Sequence, residues 1–342
     1  METADFDFEL PQELIAQDPI VPRDHSRMMC LNRESQLVSH QRFYDLPDCL
    51  KPGDVLVLND TKVVPARLFG VIPEVGPGKV EVLLLNEPVD GAQRVMAKPG
   101  KKFQPGRIIV FDEQLRAEVT GIDEDGCRLL RFDCTPSELQ LHLDRIGHAP
   151  IPPYIKHSSA TREQYQTVYA NDPGSSAAPT AGLHFTPEVF KALDDKGISV
   201  EKVTLHVGRG TFQDVKVENL KDHTMHSEHF ELTVDVAERL NRAKEAGSRV
   251  IAVGTTSVRV LESSCDENGL LVPQISDTDI FIYPGYSWRY VDALLTNFHL
   301  PKSTLIMLVS SFAGQDFVRK AYEEAIQEKY RFFSFGDCML IQ

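Results

Sequence analysis

The stretch RVIAVGTTSVR, from Arg249 to Arg259, is the most informative part of the chain for the fold. Its apolar first half, Arg249–Gly254, has the length and composition of a buried strand, and its hydroxyl-rich second half predicts the start of a helix. Upstream, VEKVTLHV (Val200–Val207) predicts another strand, and the segment between the two strands predicts a helix over about Asp235–Ala246. Alternation of this kind predicts an open, mostly parallel α/β sheet with helices on both faces.

The segment from about Val71 to Asp133 has a different pattern, because short apolar runs are separated by turn signals such as VGPG (Val75–Gly78) and DEDG (Asp123–Gly126). Strands of this length and punctuation are typical of a small antiparallel barrel or sandwich. A helix should follow this segment, since Thr135 can act as its N-cap with Pro136 at the first helical position. The pattern therefore predicts an inserted β-rich domain.

The position of the insert sets the expected domain boundaries. We expect a discontinuous α/β catalytic domain made of residues 1–66 and 150–342, and an inserted antiparallel β-barrel domain over residues 67–149. Both chain termini then belong to the α/β domain.

Composition and charge restrict the possible functions. The chain of 342 residues has no apolar run of about 18 residues, and its acidic N-terminus is unlike a secretory signal, so we expect a cytoplasmic protein without a membrane partner. A net charge of −14 argues against indiscriminate nucleic-acid binding. It leaves room for specific RNA binding by basic residues on one face, and Arg67, Lys98, Lys101 and Lys102 are the candidates.

Hydroxyl and small residues mark the predicted ends of strands. Thr255 and Thr256 follow the strand Arg249–Gly254, where ligands of open α/β sheets bind and where free helix N–H groups favour a carboxylate or phosphate. The alternative is that these hydroxyls only cap the helix. Gly208 and Gly210 do not form a nucleotide fingerprint, but after a strand that ends near His206 they allow a backbone to lie against a ligand.

Histidines stand in three further motifs: APTAGLHF (Ala178–Phe185), TLHVGRGTF (Thr204–Phe212) and DHTMHSEH (Asp222–His229). An imidazole titrates near neutral pH and can act as a general acid or base. The histidines of the third motif, with Glu228, also allow a zinc site, although their spacing is not that of H-E-x-x-H. His299 is either a ligand contact or a hydrogen-bonded core residue, and NDTKVVPARL (Asn59–Leu68) supplies either site residues or a turn with a surface arginine.

Together with TNFHLPKSTLIMLVSSF (Thr296–Phe312), these motifs resemble one bacterial family, the S-adenosylmethionine:tRNA ribosyltransferase-isomerases of queuosine biosynthesis. The resemblance extends from FDFELP (Phe6–Pro11) to EKYRFFSFGD (Glu328–Asp337) and so covers nearly the whole chain. One position departs from the family, because Asp214 stands where a proline is usual.

The resemblance implies an enzyme that transfers and isomerises the ribosyl moiety of S-adenosylmethionine onto 7-aminomethyl-7-deazaguanine at the wobble position of tRNA. The products are epoxyqueuosine-tRNA, adenine and methionine. S-adenosylmethionine is then a consumed substrate, so we expect no cofactor and no metal. We also expect the protein to be a monomer.

The resemblance and the motifs together suggest a set of site residues. We expect proton transfer by His184, His206, His226 and Glu228. We expect the substrates to contact Asp60, Thr61, Arg67, Thr180, Gly182, Gly208, Gly210, Thr211, Thr255, Thr256, Arg259 and His299.

Two other interpretations remain open at this point. A metal-dependent hydrolase could use His206, His226, Glu228 and His229 as ligands. A non-catalytic RNA-binding module could use the barrel to dock a tRNA stem or loop.

Overall fold

The computed structural model describes residues 1–85, 91–124, 126–148, 152, 154–208, 215 and 217–342. Two compact units are present. We call the first the α/β unit, which comprises Met1–Lys62, Pro152–Asp172 and Ala178–Gln342. The second is the barrel unit, which comprises Val63–Ile151 and Pro173–Ala177. The sequence-based boundaries at residues 67 and 149 stay a prediction.

The described residues form strands and helices of ordinary length. The strands are β1 (Arg27–Asn32), β2 (Leu37–Arg42), β3 (Val55–Asn59), β4 (Thr61–Val63), β5 (Arg67–Ile72), β6 (Gly76–Leu84), β7 (Gln93–Lys98), β8 (Ile108–Val110), β9 (Arg116–Ile122), β10 (Arg128–Phe132), β11 (Asp172–Ser175), β12 (Ser199–Leu205), β13 (Glu228–Leu232), β14 (Val250–Val253), β15 (Gln274–Thr278), β16 (Ala293–Asn297) and β17 (Cys338–Ile341). The helices are α1 (Leu46–Cys49), α2 (Pro136–Ile146), α3 (Pro187–Asp195), α4 (Val234–Glu245), α5 (Gly254–Ser264), α6 (Thr304–Ala313) and α7 (Gln315–Gln327).

The α/β unit contains a nine-stranded sheet in the order β15-β13-β12-β3-β14-β16-β17-β1-β2. Its central strands β12, β3, β14 and β16 run parallel to one another. The pairs at both edges, β13 with β15 and β1 with β2, are antiparallel. The predicted α/β fold class is confirmed, in the form of a mixed sheet whose parallel strands occupy the centre.

Burial along β3 shows that both faces of the sheet are covered. Successive side chains of a strand point to opposite faces. Leu56 and Leu58 are buried among residues of α1 and α3, and Val55 and Val57 on the other face are buried as well. A strand that is apolar on both faces belongs inside an α/β protein, as its sequence predicts.

The barrel unit closes six antiparallel strands in the order β10-β7-β6-β5-β8-β9. Alternate residues fill its interior, among them Leu68, Val82 and Val119. Helix α2 has the predicted N-terminus: Thr135 caps it and exchanges hydrogen bonds with Glu138 in a capping box. The predicted inserted barrel fold is therefore confirmed. None of the helices in the described ranges is long and apolar enough to span a bilayer.

Candidate active site

The parallel strands of the α/β unit bring four predicted motifs to one edge of the sheet. Strands β3, β12, β14 and β16 run in the same direction, so their carboxyl ends lie on the same side. Asp60 and Thr61 follow β3, His206 follows β12, Thr255 and Thr256 follow β14, and His299 follows β16. Ligands of open α/β sheets bind at this edge.

Asn59 joins the ends of β3 and β12. Its amide donates to the carbonyl oxygen of Leu205 at 2.9 Å, and its own carbonyl oxygen accepts the backbone N–H of Leu205 at 3.0 Å and of Thr61 at 3.1 Å. Beside it, Asp60 accepts a hydrogen bond from Thr204 Oγ1 at 2.7 Å. Asn59 was not among the site residues expected from the sequence, although its position directly before Asp60 at a strand end was an available signal.

His206 is the best placed of the predicted histidines for proton transfer. Its Nδ1 lies 2.8 Å from Thr61 Oγ1, and its Nε2 faces the carboxylate of Asp172 at 3.9 Å, beyond hydrogen-bonding distance. The side chain of His206 is 20% exposed, so it is partly buried and still reaches solvent. Burial lowers the pKa of His206 more than Asp172 raises it, which keeps the ring neutral and able to accept a proton near pH 7.

His229 lies beside His206 on strand β13. The two rings stack with centroids 6.2 Å apart and an angle of 20° between their planes. His229 is 53% exposed, and its Nδ1 lies 3.1 Å from Asp277 Oδ1. Asp172 and His229, which were not among the catalytic residues expected from the sequence, therefore also lie next to His206.

Glu228 is engaged in a buried ion pair. One carboxylate oxygen accepts the backbone N–H of Gly208 at 2.8 Å, and the other pairs with the guanidinium of Arg259. Arg259 also donates to the carbonyl oxygen of Thr278 at 2.9 Å, and burial lowers its pKa to about 10. Glu228 thus holds the loop after β12 against helix α5, and Arg259 is already paired with a carboxylate of the chain.

His184 and His299 lie in the core. His184 is buried, with Nδ1 3.0 Å from Ser26 Oγ, and its ring stacks on Phe43. His299 Nε2 lies 3.0 Å from Thr296 Oγ1. Burial holds the pKa of His184 well below its usual range and lowers that of His299 to about 3, so both rings are neutral at pH 7.

The hydroxyls after β14 do not cap helix α5. The N-cap residue is Val253, and no side chain caps the helix. Thr255 is buried, and the Thr256 hydroxyl is buried without a hydrogen-bond partner among the described residues. Thr256 is therefore not a helix cap, and no described residue satisfies its buried hydroxyl.

Gly182 lies where no side chain fits. A Cβ atom there would come within 1.9 Å of the Tyr169 hydroxyl and 3.0 Å of Thr167 Cγ2. Gly182 belongs to a single 3₁₀ turn, Thr180–His184, and a Cβ at Gly254 would lie 3.6 Å from Ala181 in that turn. The motifs around His184 and Thr256 are therefore neighbours.

The remaining predicted residues are placed as follows. His226 is exposed before strand β13. Arg67 belongs to the barrel unit, where its Nε lies 3.1 Å from Glu81. Gly210, Thr211 and Asp214 lie outside the described residues. The described ranges contain no group of three or more His, Cys, Asp or Glu residues placed to hold a metal ion.

Comparisons with known proteins give one answer. A family model described as "Queuosine biosynthesis protein" matches residues 3–341. S-adenosylmethionine:tRNA ribosyltransferase-isomerases of Desulfitobacterium hafniense and Acetivibrio thermocellus are each 52% identical to the chain, and each match covers 100% of both sequences. A crystal structure of the S-adenosylmethionine tRNA ribosyltransferase of Thermotoga maritima has 38% identity and a TM-score of 0.56, and the match covers 99% of this chain and 100% of that one.

Proposed function

Because the chain belongs to the queuosine biosynthesis protein family, we propose that it transfers and isomerises the ribosyl moiety of S-adenosylmethionine onto tRNA. The finer proposal is that the acceptor is 7-aminomethyl-7-deazaguanine at the wobble position and that adenine and methionine are released. The relatives at about 52% identity over the full length are named S-adenosylmethionine:tRNA ribosyltransferase-isomerases, which supports ribosyl transfer and isomerisation from S-adenosylmethionine to tRNA. These names do not favour either alternative, a metal-dependent hydrolase or a non-catalytic RNA-binding module.

The chemistry needs a base that removes a proton from C5′ of S-adenosylmethionine, next to the sulfonium. We assign this step to His206, and the observation that carries the assignment is its position at the sheet edge between Thr61 and Asp172. With its proton on Nδ1 and donated to Thr61 Oγ1, the ring offers the lone pair of Nε2 to the substrate. The carboxylate of Asp172 then stabilises the imidazolium that forms.

Other residues of the α/β unit support this step by position. Asn59 fixes the ends of β3 and β12, and Glu228 fixes the backbone of Gly208. His184 and His299 are neutral and buried, so in this proposal they shape the site and do not exchange protons with substrate. We assign to the unpaired hydroxyl of Thr256 a contact with S-adenosylmethionine, because no described residue satisfies it.

Docking of the tRNA is proposed to use the basic residues of the barrel unit. Lys98 ends strand β7, Lys101 and Lys102 follow within four residues, and Lys98 and Lys101 are exposed. Contacts to phosphates release counterions, so tRNA affinity should fall steeply between low and moderate salt. An affinity that does not change with salt would contradict this part of the proposal.

The proposed function is tested by single-turnover release of adenine from S-adenosylmethionine. Release is expected with tRNA that carries 7-aminomethyl-7-deazaguanine and not with tRNA that carries guanine at the same position. The same assay in a chelator-treated preparation tests the expectation that no metal participates. Absence of adenine release with the modified tRNA would contradict the proposal.

A further inference from the structure

Arg23 carries a buried guanidinium group that is mostly without partners. Its Nε donates to the carbonyl oxygen of Leu183 at 3.2 Å. Its Nη1 and Nη2 are buried and have no hydrogen-bond partner among the described residues. Buried polar groups in folded proteins are nearly always hydrogen-bonded, and a buried charge without partners is costly, so these donors need an explanation.

The nearest charged groups offset only part of the charge of Arg23. Burial and repulsion by Arg331 lower the pKa of Arg23 to about 10, and attraction to Asp337 opposes this shift without cancelling it. Asp337 is nearby, but its two carboxylate oxygens accept backbone N–H groups, from Arg27 at 2.9 Å and from Arg331 at 2.8 Å. The cluster formed by Arg23, Arg331 and Asp337 therefore has two arginines and no carboxylate that is hydrogen-bonded to Arg23.

The carboxylate of Asp24, the next residue along the chain, is not hydrogen-bonded to Arg23 either. Its Oδ2 accepts a hydrogen bond from Thr186 at 2.8 Å, and its Oδ1 is buried without a hydrogen-bond partner among the described residues, 4.0 Å from the ring of His25. Arg23 thus differs from Arg259, whose charge is balanced by Glu228 inside the same unit.

His184 completes the cluster and is neutral. The amide of Asn297 donates to the carbonyl oxygen of Phe333 at 3.0 Å and lies 3.3 Å from His184 Nε2, so this ring nitrogen is an acceptor. The ring proton is then on Nδ1, which faces Ser26 Oγ. His184 therefore adds no negative charge to balance Arg23.

We propose that Arg23, with Arg331 beside it, forms a subsite for an oxyanion of the substrates. An arginine fork with two free nitrogens matches the paired oxygens of a carboxylate or phosphate. Arg23 is bound through Leu183 to the turn Thr180–His184, which lies against Gly254 and so borders the candidate site. The inference rests on the proposed function, because S-adenosylmethionine supplies a carboxylate and tRNA supplies phosphates.

Calorimetry with S-adenosylmethionine and with its decarboxylated form tests the proposal. The unmodified protein should bind S-adenosylmethionine at least tenfold more tightly than the decarboxylated compound. Arg23→Gln should abolish this difference and leave the affinity for the decarboxylated compound unchanged. If the oxyanion is a tRNA phosphate, Arg23→Gln leaves both small-molecule affinities unchanged, weakens tRNA binding, and reduces the slope of log affinity against log salt by about 1.

Two variants serve as controls. Arg319→Gln removes an exposed arginine that also donates to a backbone carbonyl, of Asp5 at 3.2 Å, and it should bind all three ligands like the unmodified protein. Arg23→Lys keeps the charge but loses the paired nitrogens of the guanidinium, so it should weaken the same affinity as Arg23→Gln by a smaller factor, and it replaces Arg23→Gln if the latter does not fold. Either Arg23 variant binding all three ligands with unchanged affinity would overturn the subsite, whereas an unmodified protein that does not bind S-adenosylmethionine would instead contradict the proposed function.

Discussion

Two pairs of histidines in the α/β unit have similar sequence surroundings and different physical states. His206 and His229 stack at the sheet edge and keep part of their surface in solvent. His184 and His299, each next to a phenylalanine in the sequence, are buried and neutral. The difference shows that packing, more than local sequence, decides which imidazoles can exchange protons with a substrate.

The largest expected effect concerns the buried ion pair of Glu228 and Arg259, which holds the loop after His206 against helix α5. Glu228→Ala leaves the buried guanidinium of Arg259 without its carboxylate, so the free energy of unfolding should fall by about 3–5 kcal/mol. Urea denaturation of the ligand-free protein measures this change. Asp277→Asn is the matched control, because it removes an exposed partner of His229 and should cost less than about 1 kcal/mol. Equal losses in the two variants would contradict the structural role of Glu228.

A smaller effect on stability should distinguish Gly182, in the turn that contains buried His184, from Gly208, close to His206. Gly182→Ala places a methyl group against the Tyr169 hydroxyl in the buried region and should cost about 1–3 kcal/mol of unfolding free energy. Gly208→Ala, in the His206 region, places it 3.8 Å from the Glu228 side chain, which is an ordinary contact. The second substitution should change stability by less than about 0.5 kcal/mol. Urea denaturation of both variants decides the point, and a Gly182→Ala protein as stable as the original would show that the turn is not tightly packed.

The smallest expected effect is a pH dependence of the free energy of unfolding that arises from buried His299. The ring of His299 binds a proton below about pH 6.5 in the unfolded chain and only below about 3 in the folded protein. The unfolded state therefore binds more protons between these values. The stability contributed by neutral His299 is complete above pH 6.5 and is lost as the pH falls toward 3.

Between pH 6.5 and pH 5.5 this loss should be about 1 kcal/mol. It is measured as the change in unfolding free energy of the unmodified protein minus that of His299→Gln. An identical pH dependence in His299→Gln would mean that this ring can be protonated in the folded state.

Local signals were sufficient to predict several elements of the fold. The cap at Thr135 and the proline at position 136 placed the start of helix α2, and turn signals at short intervals indicated the barrel. Long-range pairing was not readable from the sequence. Strand β17 at the C-terminus pairs with β16 and with β1, more than 300 residues away, and no local pattern specifies these partners.

The site could be predicted as far as it depends on strand ends. Polar residues after buried strands pointed to the edge where Thr61, His206 and Thr256 lie. Pairings between distant side chains could not be predicted, because they depend on tertiary packing. Examples are the contact of Arg259 with Glu228 and the burial of Arg23.

The central claim, that His206 is the base at the reacting carbon, is tested most directly by the pH profile of single-turnover adenine release in His206→Gln. The unmodified protein should lose activity as the pH falls through the pKa of His206, which burial places below 6.5. The variant should bind S-adenosylmethionine normally, react about a hundredfold more slowly, and lack this acidic limb. A His206→Gln protein with the original rate and the original acidic limb would contradict the account.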